Sequence, residues 1–394
     1  MMKIRALIIR GLHKCCHFQW DHLAVCALLG IVGWLLIIIS TKIALFDPVK
    51  AAFEDFSMTD VFFEIQKSGQ KIQNNDIVIV DMTDLITRDD IAQTIRNIKS
   101  CQPKVLGVDL LFERPSYDRM EDAALVSAIE DGDCQQVFSC KLRDYDEQSS
   151  SFKNCLYSFF HQIGNFNWGY ANYYQKRLGG VTRETTQRQN LNDSVVYSLP
   201  YLLSCYYTGK QPVKEAVNER EIYYANVNFI TLKSTEVMHH QELLKNKLVL
   251  LGTMDEEADM HYSPIGKIPG VKMIAYSILS YMNHDEIVRM SKWTSLLLAF
   301  VLCLLAAWVG YIIECWNSVF FPILAKIFNF ILGAILIGVA LYVFVIYDYY
   351  IDVLYSLLGL ALVEDVRETY VGIVKWAVRK KKLSILNKSV YADM

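Results

Sequence analysis

The sequence predicts an α/β extracytoplasmic domain with a largely parallel sheet flanked by helices, joined to four transmembrane helices, one N-terminal and three C-terminal. Long apolar runs near both ends, basic clusters outside the outermost runs, and alternating strand and helix patterns between them carry this prediction. The composition agrees: with 53% hydrophobic residues and a net charge of -3, the chain is too apolar for a water-soluble enzyme and too charged for an all-membrane bundle.

About 20 apolar residues in helix cross the hydrocarbon layer. Leu23 to Phe46 is one such run, interrupted only by Lys42, while Thr294–Ile313 and Ile327–Tyr347 are uncharged. A fourth run is weaker, uncharged only from Val353 to Val363, and competes with an interfacial helix. Lys3, Arg5, Arg10 and Lys14 precede the first run, and Arg379, Lys380, Lys381 and Lys382 follow the last. Short basic segments stay in the cytoplasm, so both termini are expected inside and the number of spans even. The first run is too long for a signal-peptide core and lacks an Ala-x-Ala site, so it is read as a retained anchor.

The expected organisation is a cytoplasmic N-terminus at 1–22, an anchor at 23–46, an extracytoplasmic domain at 47–292, membrane helices at 293–316, 319–347 and 351–374, and a basic cytoplasmic tail at 375–394. The location that follows is a bacterial inner membrane with the large domain on the periplasmic side. From Pro48 to Lys292 there are 26 Lys plus Arg against 33 Asp plus Glu, which argues against a nucleic-acid surface.

Within the domain, Asp76–Val80 (DIVIV) reads as a strand, and Asp89–Ser100 as a helix through Ile91, Ile95 and Ile98. Val105–Phe112 is a second strand, Asp122–Ile129 a second helix, and Gln136–Ser139 a third strand. Such alternation implies a parallel sheet. Tyr223–Phe229 alternates like a half-exposed strand, and Lys247–Leu251 reads as a buried one.

The ordered set Asp76–Asp84 (DIVIVDMTD), Val105–Pro115 (VLGVDLLFERP), Asn226–Phe229 (NVNF), Lys245–Thr253 (KNKLVLLGT), Asp259–Pro264 (DMHYSP), Pro269–Val271 (PGV) and Ala275 resembles the CHASE domain of the second type, CHASE-2. That name denotes a cyclase- and histidine-kinase-associated sensory extracellular domain. The resemblance covers roughly Ser57 to His284, and an anchor before the domain with about three spans after it is also similar. It implies a sensor whose domain feeds a cytoplasmic cyclase, kinase or phosphatase. Only Glu364–Met394 follow the last span here, so output through a separately encoded partner is expected.

Ligands of open parallel sheets sit beyond the carboxyl ends of the strands. Asp81 closes one strand, Asp109 lies near the end of another, and Gly252 closes a third just before Asp255–His261. Asp81, Asp109, Asp259 and His261 are therefore candidates to converge at one pole, where three carboxylates and an imidazole suit a divalent cation or a cationic ligand. The competing reading is that these side chains cap turns, with Asp259 holding His261 in one tautomer. The metal-dependent enzyme using the four residues is the alternative function, a structural scaffold of a membrane complex the third. The main reading is not an enzyme and needs no cofactor.

Other features are weaker. His239 and His240 lack the His-Glu-x-x-His spacing of a zinc site. Phe166–Tyr174 (FNWGYANYY) reads as a strand with one face in the core or as a stacking platform. Arg177–Arg183 (RLGGVTR) reads as a hairpin turn, with no P-loop Lys-Ser/Thr after it, and no Gly-x-Ser-x-Gly marks a serine hydrolase. Glu314 and Lys326 flank a short turn and are read as interfacial anchors. The chain has ten cysteines; Cys15 and Cys16 are expected as free cytoplasmic thiols, and Cys101 with Cys134 and Cys140 with Cys155 as disulfide candidates. The expected partners are the membrane, a separate signalling or membrane protein, an extracytoplasmic ligand and, as an open alternative, a second copy of the chain.

Overall fold

The computed structural model describes residues 20–42, 58–67, 71–163, 166–173, 180–214, 219–224, 226–255, 257, 259–282, 287–315 and 320–379. Cys15, Cys16, most of the N-terminal segment, residues 177–179 of the Arg177–Arg183 turn and the tail from 380 onward lie outside the described residues.

The first elements are α1 (Trp20–Lys42), α2 (Met58–Lys67), β1 (Ile72–Asp81), α3 (Arg88–Ser100), β2 (Val105–Val108), α4 (Arg119–Glu130), β3 (Gln135–Asp146), β4 (Ser151–Leu156) and β5 (Asn167–Tyr170). There follow β6 (Glu184–Thr186), β7 (Arg188–Leu191), β8 (Ser194–Tyr197), α5 (Leu199–Thr208), β9 (Glu219–Glu221), β10 (Val227–Lys233), α6 (Gln241–Leu244) and β11 (Leu248–Gly252). The chain continues through β12 (Met260–Ser263), β13 (Gly266–Pro269), α7 (Gly270–Met282), β14 (Val288–Arg289), α8 (Lys292–Cys315), α9 (Phe321–Tyr347), β15 (Tyr349–Tyr350) and α10 (Leu354–Arg379). Two compact units result: Thr59–Ile287, and Met1–Met58 together with Val288–Met394.

In the α/β unit the strands β10, β1, β11, β2, β3 and β5 lie side by side and parallel. The register places Asp81 opposite Gly252 and Val108 opposite Phe138, so the carboxyl ends of the central strands line up. Beyond this row, β3 turns antiparallel to β4, and β7 pairs antiparallel with β8. Both faces of the central sheet are covered, which is why Ile77–Val80, Val105–Val108 and Leu248–Gly252 are continuous buried runs without alternation.

One face packs on α3 and α4. Ile91, Ile95 and Ile98 of α3 and Leu125 and Ile129 of α4 bury against Val78, Val80, Leu106, Val108, Val249 and Leu251. A capping box starts α3: the Thr87 hydroxyl accepts from Asp90 N, and the Asp90 carboxylate accepts from Thr87 N. The alternate side chains face α5, where a Cβ on Gly107 would stand 2.6 Å from Leu203 Cδ1, so this glycine lets helix and strand approach.

Two expected strands are corrected. The run Val105–Phe112 leaves the sheet after Val108, because Phe112 N donates to Ser158 Oγ and Phe112 O accepts from Phe159 N. The strand expected at Tyr223–Phe229 begins at Val227 instead; Tyr224 is buried and meets Phe63 of α2 edge-on, as Tyr223 does. The aromatic run at Phe166 forms β5, with Trp168 and Phe166 packed against Phe138. His239 and His240 are exposed.

In the helical unit, α1, α8 and α10 share a core of Val25, Cys26, Leu29, Cys303, Ala306, Ala307, Leu360, Val363 and Val366. Two helices, not the expected four, are long and apolar enough to cross a membrane among the described residues: Lys292–Cys315 and Pro322–Tyr347. The apolar part of α1, Trp20–Leu36, is shorter, and α10 carries Glu364, Asp365, Arg367 and Glu368 along its middle. Three of those charges are partnered within the unit: Arg367 is fully buried and pairs with Glu364 and with Glu314 of α8, and Lys326 pairs with Asp365 at 2.9 Å. Glu314 and Lys326 thus bind α10 rather than serving only as anchors. Asp348 ends α9 at φ 50°, and Tyr349–Tyr350 pair with Val288–Arg289.

Candidate functional site

The carboxyl ends of β2, β3 and β5 open onto a cavity of about 580 Å³ whose lining includes Asp109, Asp259, His261 and Tyr173. Asp109 is the first residue past β2, and its N–H still donates to Leu251 O at 2.9 Å, fixing it at the strand end. Asp259 and His261 come from the entry to the β12–β13 hairpin, in which His261 lies opposite Ile268. Gly270 N, at the start of α7, donates to Asp259 O at 2.9 Å. A Cβ at Gly270 would overlap Asp259 Oδ2, so the Pro269–Gly270 pair is what lets the hairpin close over this carboxylate.

The electrostatics divide the two acids. His261 Nε2 lies 3.1 Å from Asp259 Oδ1, and this hydrogen bond, ahead of the nearby charges, holds the Asp259 carboxyl below its usual range. Asp109 moves the other way. Burial, reinforced by the Asp259 charge, pushes it up to about 7, against smaller opposing pulls from His261 and a Ser139 hydrogen bond. Among the described residues no Lys or Arg pairs with it. The cavity therefore holds a carboxyl poised to change charge near neutral pH.

Segment 171–173, just past β5, supplies another wall. Asn172 is locked to β3, accepting from Leu142 N at 2.8 Å and donating to Leu142 O at 3.0 Å. Tyr173 follows it, hydrogen-bonded through its hydroxyl to Ser277 of α7 at 3.0 Å, with its ring 6.3 Å from that of His261. Leu111, Met260 and Ile274 add apolar surface.

Three of the four candidate residues, Asp109, Asp259 and His261, thus meet in one cavity. Asp81 does not join them. Its Oδ1 accepts from Thr83 N (3.0 Å), Thr83 Oγ1 (2.6 Å) and Met254 N (3.1 Å), which pins the loops after β1 and β11. Among the described residues no group of three or more His, Cys, Asp or Glu side chains is placed to hold a metal ion. Cys101, Cys134, Cys140 and Cys155 are free thiols; Cys140 lines the cavity, and the neighbouring Cys155 thiol together with burial pushes its own thiol well above the ordinary range. Sequence reasoning missed Ser139, Asn172 and Tyr173 as lining residues, although Ser139 stands where the parallel pairing of β3 with β2 ends and the other two lie just past β5.

The model of one protein family, the CHASE2 domain, matches residues 31–311, well over half of the chain. The chain belongs to the CHASE2 domain family. CHASE2 domains are sensory extracellular domains, and the expected resemblance holds. The match begins within α1 and ends within α8, so the α/β unit lies wholly inside it. No curated protein and no solved structure matches the chain.

Proposed function

We propose that this CHASE2 protein is a membrane-anchored extracytoplasmic sensor whose cavity at Asp109, Asp259 and His261 receives a small ligand. The observation that carries this reading is the cavity itself, a half-open cleft at the carboxyl pole of a parallel sheet where such folds bind ligands, lined by a few polar groups set among apolar ones. A binding site fits better than a metal-dependent enzyme, because Asp81 is committed to its loops and the remaining acids have opposite electrostatic environments.

In this reading α1, α8, α9 and α10 all span the membrane, with both termini in the cytoplasm of a bacterial-type cell. The pairing of Arg367 with Glu364 and Glu314 supports it, since charges entering lipid are tolerated when paired inside a bundle. Signal leaves through α10 to a separate protein; Ile373 and Trp376 are exposed near its end and suit docking or lipid contact. A Tyr391→Cys variant labelled in intact cells tests the topology: protection from an impermeant reagent is expected, and labelling from outside would leave an odd number of spans. Deleting 375–394 tests the output: loss of one specific crosslinked partner is expected, and an unchanged partner set would move the output elsewhere.

A further inference from the structure

We infer that the ligand class of the Asp109 cavity is a small organic ammonium compound with a short apolar body, recognised by the Asp109 carboxylate. This inference rests on the reading of the cavity as a ligand site.

Three observations combine. First, Asp109 is an anion-forming group set into the wall with no Lys or Arg paired to it among the described residues; its neighbours are Asp259, which repels its charge, His261, and the Ser139 hydroxyl. An ammonium group seated there supplies the missing countercharge. Second, the other charges of the cavity are already engaged with each other: His261 bonds Asp259, and Lys141, an exposed residue of the wall, acts on Asp259 as well. The charge left over for a ligand is therefore that of Asp109. Third, the rest of the lining suits an apolar body beside that charge: Leu111, Met260 and Ile274 are apolar, and Tyr173 and Tyr262 add aromatic rings, a side-chain type that attracts cations. Asn172 is held by its two bonds to Leu142 and the Tyr173 hydroxyl by Ser277, so these side chains are fixed in place as part of the wall.

The test uses the full chain in lipid nanodiscs and three probes of equal ring and chain length: phenethylamine, 2-phenylethanol and phenylacetate, titrated by calorimetry or thermal shift up to roughly 10 mM, the weak-binding limit. The expected result is binding of phenethylamine at least about tenfold tighter than either other probe, a difference typical of one neutralised buried charge. Asp109→Asn, nearly isosteric, abolishes that preference while its melting temperature shows it folded. Binding also weakens as pH falls from 8 to 6, because Asp109 is neutralised; phenethylamine itself stays protonated throughout. Equal or tighter binding of phenylacetate or 2-phenylethanol, lost in the cavity-filling Ile274→Trp, would overturn the ammonium assignment and leave the ligand site standing. No binding of phenethylamine to the wild-type chain would overturn the assignment outright. Binding of all three probes unchanged in Ile274→Trp would overturn both it and the cavity reading beneath it.

Discussion

Replacing Asp109 with Asn is expected to stabilise the α/β unit at neutral and alkaline pH and to leave it unchanged in acid. The magnitude follows from the rise of the Asp109 carboxyl from 3.8 to about 7. Each unit is worth about 1.4 kcal/mol, so the ionised form costs the fold up to about 4 kcal/mol. Water reaching the cavity reduces this, and roughly 2–4 kcal/mol is the working range. The sign is fixed by proton counting. Between pH 4 and 7 the folded chain binds the extra proton, so wild-type stability falls as pH rises, fully intact below the unfolded value and fully lost above 7. Asn carries no such penalty. The groups facing Asp109 are Asp259, His261 and Tyr173, and none is changed by the substitution. Thermal melts of both chains in nanodiscs, followed by tryptophan fluorescence at pH 4.5, 6, 7 and 8, should show melting temperatures that coincide at pH 4.5. They should diverge by roughly 4–16 °C at pH 8, given about 2–4 °C per kcal/mol for a unit of this size. Parallel curves across the whole range would refute the claim that Asp109 is an uncompensated carboxyl inside the fold.

Gly270→Ala forces a Cβ into the Asp259 carboxylate; it should cost about 1–3 kcal/mol and raise the titration midpoint of Asp259 in NMR by breaking its contact with His261. Asp81→Ala removes three hydrogen bonds from two loops and should cost about 1–2 kcal/mol in denaturant melts, with probe binding at the cavity retained; loss of binding at unchanged stability would put Asp81 back in the site. Arg367→Ala leaves Glu364 buried without its cation and should destabilise the helical unit by about 3–5 kcal/mol in thermal denaturation, whereas Arg367→Met with Glu364→Leu should recover most of that. Oxidation with a disulfide reagent should join Cys140 to Cys155 before any other pair, since they neighbour each other across the β3–β4 pair; peptide maps without reduction that return both as free thiols would contradict it.

The sheet was legible because its central strands are buried on both faces. Ile77–Val80 and Leu248–Leu251 have no competing helical period, and Thr87 with Asp90 marks the start of α3. The strand at Val105 was read too long because Leu110, Leu111 and Phe112 are as apolar as the residues before them. Their backbone partners lie on Ser158 and Phe159, far along the chain, where local pattern carries no information. The same limit governs the site. Asp109 and His261 stand out by residue type at strand and hairpin ends, but Tyr173 reaches the cavity only because Asn172 fastens its segment to Leu142. Asp81 misled for a related reason: a carboxylate at a strand end looks alike whether it faces a cavity or, as here, the backbone N–H groups of Thr83 and Met254. In the helical unit the charges of α10 left an interfacial helix as the competing reading, and it is Glu314, from α8, that completes the partnership with Arg367.

The central claim is that the cavity at Asp109, Asp259 and His261 is where this CHASE2 domain meets its ligand. Native mass spectrometry of the full chain, purified under mild conditions from membranes of its own source and released from nanodiscs, tests it most directly when wild type and Ile274→Trp are compared. The account predicts a discrete small-molecule adduct on the wild type that is absent from the folded, cavity-filled variant. An adduct retained equally by both chains would contradict it.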